Sequence, residues 1–358
     1  MNQKEKELFK NLCSFKSKSF DESLIEAATP AVLGHLFFNR MSAIAYGNLD
    51  KQGLLDKVNR EFRNSIKGAH IQNKQKNKSF FLCIGYLEEI LSRCNCSYAM
   101  LKGAYLCKRY PDGYRTSNDI DLLVHPKDVA EVAKILLESG FKQGNVRKGI
   151  FEAATRREII ESKMMRGETV PFIREINLPH MQFLEVDINF SLDYKPEKAD
   201  IIEEMMRNTV TEKFFGFQVR TLRSDDFFVH LCSHLYKEAT AFPWVEMMRD
   251  MTLYKYCDIY MLLNNETKEQ VDFLFKRAGE LGMEKICAFS VLQMSGLFKF
   301  ENAYARELAE SILESDPDFI HRVVSPKEGK NYIFTEKNIS ERLFADNRKS
   351  LLEEVKIN

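Results

Sequence analysis

The sequence predicts an α+β protein in which a small mixed β-sheet is held between N- and C-terminal helical regions. Three observations carry this. Over residues 1–95, apolar positions recur at three- and four-residue intervals with few β-branched clusters and few turn signals. Near residue 96 the period changes to alternation, in short runs interrupted by turns and one clear helix. Beyond residue 223 the helical spacing returns. The expected organisation is therefore an N-terminal helical region over 1–95, a core over 96–223 and a C-terminal helical domain over 224–358.

The elements follow in order. The run "DESLIEAA" and the long stretch from "NRMSAIAY" to "EEILSRC" place Leu, Val, Phe and Ile on helical faces. "SYAMLKG" reads as a short strand ending at a Lys-Gly turn, "AYLCKRYP" as a helix stopped near Pro111, and "DGYRTSN" as a loop. "DIDLLVH" alternates as a strand. "PKDVAEVAKILLESGF" has Pro126 at a first helical position, Asp128 at the positive end and Gly140 at the stop. In "FLEVDINFSL" (183–192), Leu184, Val186, Ile188 and Phe190 share one face, while Glu185, Asp187 and Asn189 share the other. "GFQVRTL" (216–222) is a further strand. Ser224 is placed to cap the helix that opens the last region.

Composition bounds the function. The 358 residues are 44% apolar and 29% charged, as in a folded globular protein. Lys+Arg and Asp+Glu both number 52, so the formal charge is zero. Nonspecific nucleic-acid binding needs a basic surface, so nucleic acid is not expected as a partner. No apolar run reaches membrane-spanning length, so no membrane partner is expected. The eight cysteines sit mostly in apolar contexts, which fits reduced core thiols of a cytoplasmic protein. "RCNC" is a lone C-x-C, with Cys94 and Cys96 but no matching second pair, and reads as two thiols at an element boundary.

Asp119 and Asp121 stand out because burying carboxylates is costly unless they are paired or hold a metal. Two residues apart on a strand, they project to the same side. Like charges so close repel unless a cation lies between them. Mg²⁺ suits the place: it is hard, prefers oxygen and keeps positions open for substrate phosphates. The plain alternative is a pair of carboxylates that only solvate an exposed strand start. Three features favour the metal. The Lys102-Gly103 turn allows close backbone approach and opens a helix whose free N–H groups suit phosphate. Asp187 supplies a third carboxylate from the polar face of 183–192. The pair itself is framed by apolar strand and helix, as a functional site requires.

The order "LKG", "YRTSNDIDLLV", "FLEVDINFSL" resembles the nucleotidyltransferase superfamily with the DNA polymerase β-type palm, and most of all its bacterial branch of uncharacterised nucleotidyltransferases. The matching positions are Leu101 to Gly103, Asp119 with Asp121, and Asp187. "NRMSAIAYGNL" upstream, and "HLCSHLYKE" and "DIYMLL" downstream, resemble that branch's helical flanks. Two departures stand out: Gly103-Ala104 where the superfamily usually has Gly-Gly or Gly-Ser, and Asn189-Phe190 where related sequences often read His and Trp. The resemblance implies transfer of a nucleoside monophosphate from an NTP, taken as ATP, to a hydroxyl acceptor. It implies two Mg²⁺ ions, replaceable by Mn²⁺, about 3.5–4 Å apart. Asp119 and Asp121 would bridge the ions, and Asp187 would complete the site that activates the hydroxyl and accept its proton. Lys102, Gly103, Arg115 and Ser117 are the candidates for gripping phosphate, Arg115 being suited to bidentate contact. Glu185 would stand behind the ligands.

Two other classes stay open: a regulator or binding module that keeps the fold without the chemistry, and a D-x-D glycosyltransferase. The latter usually carries an α/β unit before its D-x-D, whereas the residues here read as helical. His230 and His234 lie four apart on a helix but lack the glutamate and third ligand of a zinc motif, so they read as packed. "KQKNK" (74–78) reads as a solvated helix face, and Trp244 as packing.

Overall fold

The structure is a computed structural model that describes residues 1–15, 20–192, 199–214, 216–325 and 327–356. The chain forms two compact units, one of residues 1–71 and 232–358, the other of residues 72–231.

The second unit is built on an eight-stranded mixed sheet. Its strands are β1 (Tyr98–Met100), β2 (Asp119–Val124), β3 (Lys142–Arg147), β4 (Ile150–Ala153), β5 (Phe172–Leu178), β6 (Met181–Asn189), β7 (Thr209–Phe214) and β8 (Phe217–Leu222), in the order β4-β3-β5-β6-β2-β1-β8-β7. The pairs β2–β6 and β1–β8 are parallel and the others antiparallel. Alternation separates the faces of the two central strands. Ile120, Leu122, Val124, Leu184, Val186 and Ile188 are completely buried on one side. The opposite side carries the carboxylates.

Helices fix this sheet. From residue 72 on, helix Arg60–Leu91 lies close to β8: a Cβ on Gly85 would come within 2.4 Å of the Phe217 ring. Glu88 accepts from the Arg220 backbone N–H at 3.0 Å and from the Tyr98 hydroxyl at 2.9 Å, tying β8 and β1 to one side chain. Helix Val129–Glu138 buries Val129, Val132 and Leu136, and Gly140 takes φ +85° at its end, where a side chain would be strained. Pro126 opens a single turn, Pro126–Asp128, before it.

The strands expected in "SYAMLKG", "DIDLLVH", 183–192 and 216–222 are present, with β6 starting two residues earlier and ending three residues earlier than expected. β3, β4, β5 and β7 are additional. β3 and β4 lie at the sheet margin, mixed in composition and only partly buried, so no buried face imposes alternation on them.

The first unit contains helices Gln3–Leu12, Pro30–Phe38, Ser42–Lys51, Leu253–Leu263, Lys268–Glu280, Glu284–Leu297 and Ala303–Leu313. Asn2 with Glu5, and Thr267 with Gln270, form reciprocal caps, and Thr29 caps a helix that begins at Pro30. The expectation of a helical region to the C-terminus needs correction. Strands β9 (Arg322–Ser325), β10 (Lys330–Phe334) and β11 (Leu352–Val355) form an antiparallel sheet. Each strand is four or five residues long, too short to display a period. What selects the sheet is tertiary packing: Val323 and Phe334 bury against Val245, with Phe242, Tyr332 and Leu352 around them. No helix among the described residues is long and apolar enough to cross a membrane.

Candidate active site

Register places the acidic residues side by side. In the parallel β2–β6 pair, Asp119 is opposite Glu185 and Asp121 is opposite Asp187. Partners in register share a face, so four carboxylates project from one side of two adjacent strands. Leu123 and Asn189 continue the same row. The three aspartates singled out by the sequence are therefore brought together, and Glu185 joins them.

Asp121 lies at the centre and is 7% exposed. Its Oδ1 accepts from Lys102 Nζ at 2.9 Å and from Asn189 Nδ2 at 3.3 Å. The backbone delivers that lysine. Leu101 is extended and its N–H donates to the Asp121 carbonyl at 2.9 Å, after which Lys102 takes φ +38°. A non-glycine residue seldom adopts this conformation, and the surrounding bonds hold it there. Lys102 therefore meets a carboxylate in this structure, whereas the sequence pointed to phosphate.

Ser117, 9% exposed, bonds Asp119 through its hydroxyl, 3.1 Å from Oδ1 and 3.2 Å from the carbonyl. It also sits directly beneath Gly103: a Cβ there would lie 2.4 Å from Ser117 Oγ and 2.7 Å from its Cβ. Glycine at 103 is thus needed for contact between the turn and the D-x-D loop, in addition to any approach of a ligand. Gly103→Ala is expected to displace Ser117 and, with it, Asp119, at a cost of roughly 1–3 kcal/mol. Adding Ser117→Gly in the same chain should recover most of the loss. Urea midpoints measure both, and a Gly103→Ala midpoint equal to wild type would refute the close packing.

Arg115 turns towards Cys107, with Nη1 4.0 Å from Sγ. Its loop is clamped from one helix. Asn73 Nδ2 donates to the Gly113 carbonyl at 3.1 Å, Asn77 Nδ2 to the Arg115 carbonyl at 2.8 Å, Lys74 pairs with Asp112 at 2.9 Å, and Lys76 donates to Asn118 Oδ1. The "KQKNK" run, expected to be a solvated face, is corrected on this point: it holds the loop that carries Arg115, Ser117 and Asn118. Lysines in a basic run look alike in sequence whether or not a loop crosses them.

The electrostatics of the row are those of crowded acids. Burial, and then the charges of Asp119 and Asp121, push the Glu185 carboxyl up to about 7. Asp187 is raised well above the usual carboxylate range by burial first, then by Asp121, Asp119, Glu185 and Glu168. Glu168 reaches this place because residues 167–169 run beside the end of β6: Glu168 bridges Asn189, and the Thr169 N–H donates to the Ile188 carbonyl at 2.9 Å. No sequence period marks Glu168. Asn189 lies on the face that the alternation of 183–192 assigned to it.

A cation would relieve this repulsion, and the donor set is chemically suited to Mg²⁺, being all carboxylate oxygen. Among the described residues, the group of metal-capable side chains with ligand atoms within 4.8 Å of one another is Cys94, Cys96 and Glu131. Adjacent strands are about 4.8 Å from each other, so Asp121 and its register partner Asp187 are separated by roughly that spacing at the backbone.

The raised acids predict a pH dependence. Without a divalent cation, the folded protein holds protons that the unfolded chain has already released between 4.5 and about 7 for Glu185. Stability should fall as pH rises through that window, since the slope follows protons bound unfolded minus protons bound folded. Glu185→Gln should flatten this slope in melting temperatures taken in chelator. An unchanged slope would refute the assignment.

The chain belongs to the uncharacterised nucleotidyltransferase family, whose model matches residues 29–299. No curated protein matches the chain. Among solved structures it is similar to an antigenic nucleotidyltransferase-like protein from Paracoccidioides brasiliensis, at 14% identity over 57% of this chain and 90% of that one, with a TM-score of 0.34.

Proposed function

We propose that this chain is a metal-dependent nucleotidyltransferase that moves a nucleoside monophosphate from ATP, or another NTP, to a hydroxyl of a small-molecule, peptide or protein acceptor. The observation that carries the reading is the register of β2 and β6, which sets Asp119 and Asp121 beside Glu185 and Asp187 on one face. Family membership supports the transferase class.

Asp119, Asp121 and Asp187 would hold the divalent ions, Mg²⁺ or Mn²⁺. When bound, such ions stabilise the attacking and leaving oxygens of an in-line displacement at phosphorus. Asp187, beside the ion that would activate the acceptor hydroxyl, would accept its proton once the cation has displaced its own. Glu185 stands beside Asp119 and adds negative charge that favours a cation. Ser117 fixes the Asp119 carboxylate. Lys102, bonded to Asp121 at 2.9 Å, would exchange that partner for the triphosphate as cation charge is supplied to the aspartate. Arg115 and the N–H groups beyond Gly103 are the further phosphate contacts. The proposed limits of the transferase core remain 96–223.

The experiment is incubation with labelled triphosphates and Mg²⁺, with candidate acceptors followed by mass spectrometry. The expected product is an acceptor heavier by one nucleoside monophosphate, with release of pyrophosphate. A triphosphate bound without turnover across acceptor classes would replace this reading with that of a regulator.

A further inference from the structure

Cys94 and Cys96 lie in the short connection between helix Arg60–Leu91 and strand β1. In sequence they form an isolated pair. In the fold a third metal-capable side chain joins them: Glu131, from the first turn of helix Val129–Glu138. The two sulfurs and a Glu131 carboxylate oxygen lie within 4.8 Å of one another, and all three residues are half-buried. Glu131 Oε1 is 3.7 Å from Cys94 Sγ and accepts from the Asn95 N–H at 2.9 Å, so the carboxylate is fixed against the loop between the cysteines.

We propose that Cys94, Cys96 and Glu131 form a binding site for a zinc-type divalent cation, a staple between the lead-in to β1 and helix Val129–Glu138. A tetrahedral ion with metal–sulfur bonds of about 2.3 Å and a metal–oxygen bond of about 2.0 Å holds those two atoms about 3.5 Å apart. The spacing of 3.7 Å is already close to that edge. Two thiolates select zinc over Mg²⁺, because sulfur is a soft donor. Three protein ligands leave a fourth position for water or for Asp128, whose charge acts on Cys96. Binding releases the two thiol protons. Burial, the neighbouring thiol and the Glu131 charge all raise the Cys96 thiol, and a cation opposes the charge contributions.

The place gives the staple a consequence. Cys96 lies two residues before β1, and β1 runs into the Leu101–Gly103 turn that delivers Lys102 to Asp121. An ion at Cys94, Cys96 and Glu131 would fix the approach to that turn while staying outside the carboxylate row. Glu131 is 37 positions from Cys94, so no local motif signals the third ligand.

The test uses the full chain, reduced and freed of metal, titrated with Co²⁺. We expect about one cobalt per chain in a thiolate site, with sulfur-to-cobalt charge-transfer absorption and the d–d bands of tetrahedral geometry, bleached by zinc. Cys94→Ser and Cys96→Ser should each remove the charge-transfer band, and Glu131→Gln should weaken cobalt binding at least about tenfold. Zinc should raise the melting temperature of wild type and not that of the cysteine variants, whose folding is checked by circular dichroism. Asp121→Asn should leave the sulfur-to-cobalt charge-transfer band unchanged, since an all-oxygen site gives no thiolate band, and this separates the proposal from the transferase reading. Absence of the band in wild type, or its survival in Cys96→Ser, overturns the proposal.

Discussion

Asp121→Asn is expected to lower nucleotidyl transfer by about a hundred- to a thousandfold while leaving the fold intact, the scale seen when one preorganised contact at a reacting group is lost. Asp121 is the point where the site's elements meet. Its Oδ1 bonds Lys102 from the β1 turn and Asn189 from β6, and its register partner is Asp187. Asparagine keeps the shape and the bond-accepting oxygen but removes the charge. Lys102 loses this anionic partner, and the cations lose a shared ligand. In chelator the same change should hold or raise the melting temperature, because a like charge is taken away from Glu185 and Asp187. The combination of lost turnover and undiminished stability separates a chemical role from an unfolded variant. Lys102→Ala should differ by weakening triphosphate affinity more than the maximal rate. The measurement is pyrophosphate release with an identified acceptor. Activity of Asp121→Asn within tenfold of wild type would remove the central carboxylate role and leave the pair as a solvated strand end.

How far the site is readable in the sequence depends on burial. Asp119, Asp121 and Asp187 can be placed because the residues between them are completely buried, which forces strict alternation. The same force fixes no face for β3, β4 and β7, whose side chains are partly open to solvent and whose composition is mixed. Strands β9 to β11 pass for helix in the sequence because their apolar residues meet Val245 and Phe242, distant along the chain. The same limit applies to the contacts that complete the site. Ser117 beneath Gly103, Lys76 on Asn118 and Glu131 against Cys94 join segments separated by 14 to 42 positions, and no periodicity reports such meetings. Lys102 is legible as a residue at a glycine turn. Its left-handed φ, which aims it at Asp121, belongs to the fold and cannot be seen in the letter K.

The largest stability effect is expected in the other unit, at the ion pair of Asp250 and Arg348. These residues are 1% and 2% exposed, and Arg348 Nε donates to Asp250 Oδ1 at 2.7 Å. Arg348 Nη2 also donates to the Met248 carbonyl at 2.6 Å, so the guanidinium is fixed at two points. A second arginine, Arg342, is equally buried, stacked over Phe334 at 4.5 Å, and its Nε and Nη2 have no hydrogen-bond partner among the described residues. Burial brings the Arg342 guanidinium down to about 10, and the Asp250 charge opposes that shift. Asp250 therefore bonds one buried cation and, with Glu336, acts on a second. Asp250→Ala leaves Arg348 without its bonded carboxylate and weakens the field on Arg342, and removing one member of a buried pair costs about 3–5 kcal/mol. For a unit of this size that corresponds to a fall in Tm on the order of 10 °C. Asp250→Leu combined with Arg348→Met should recover much of the loss, because an apolar pair of similar volume avoids desolvating a charge. Differential scanning calorimetry in chelator gives the comparison, and Asp250 lies outside the unit that holds the carboxylate row, so the readout does not depend on turnover. A transition for Asp250→Ala within about 1 °C of wild type would show that the pair contributes nothing net, with Met248 and packing alone holding Arg348 in place.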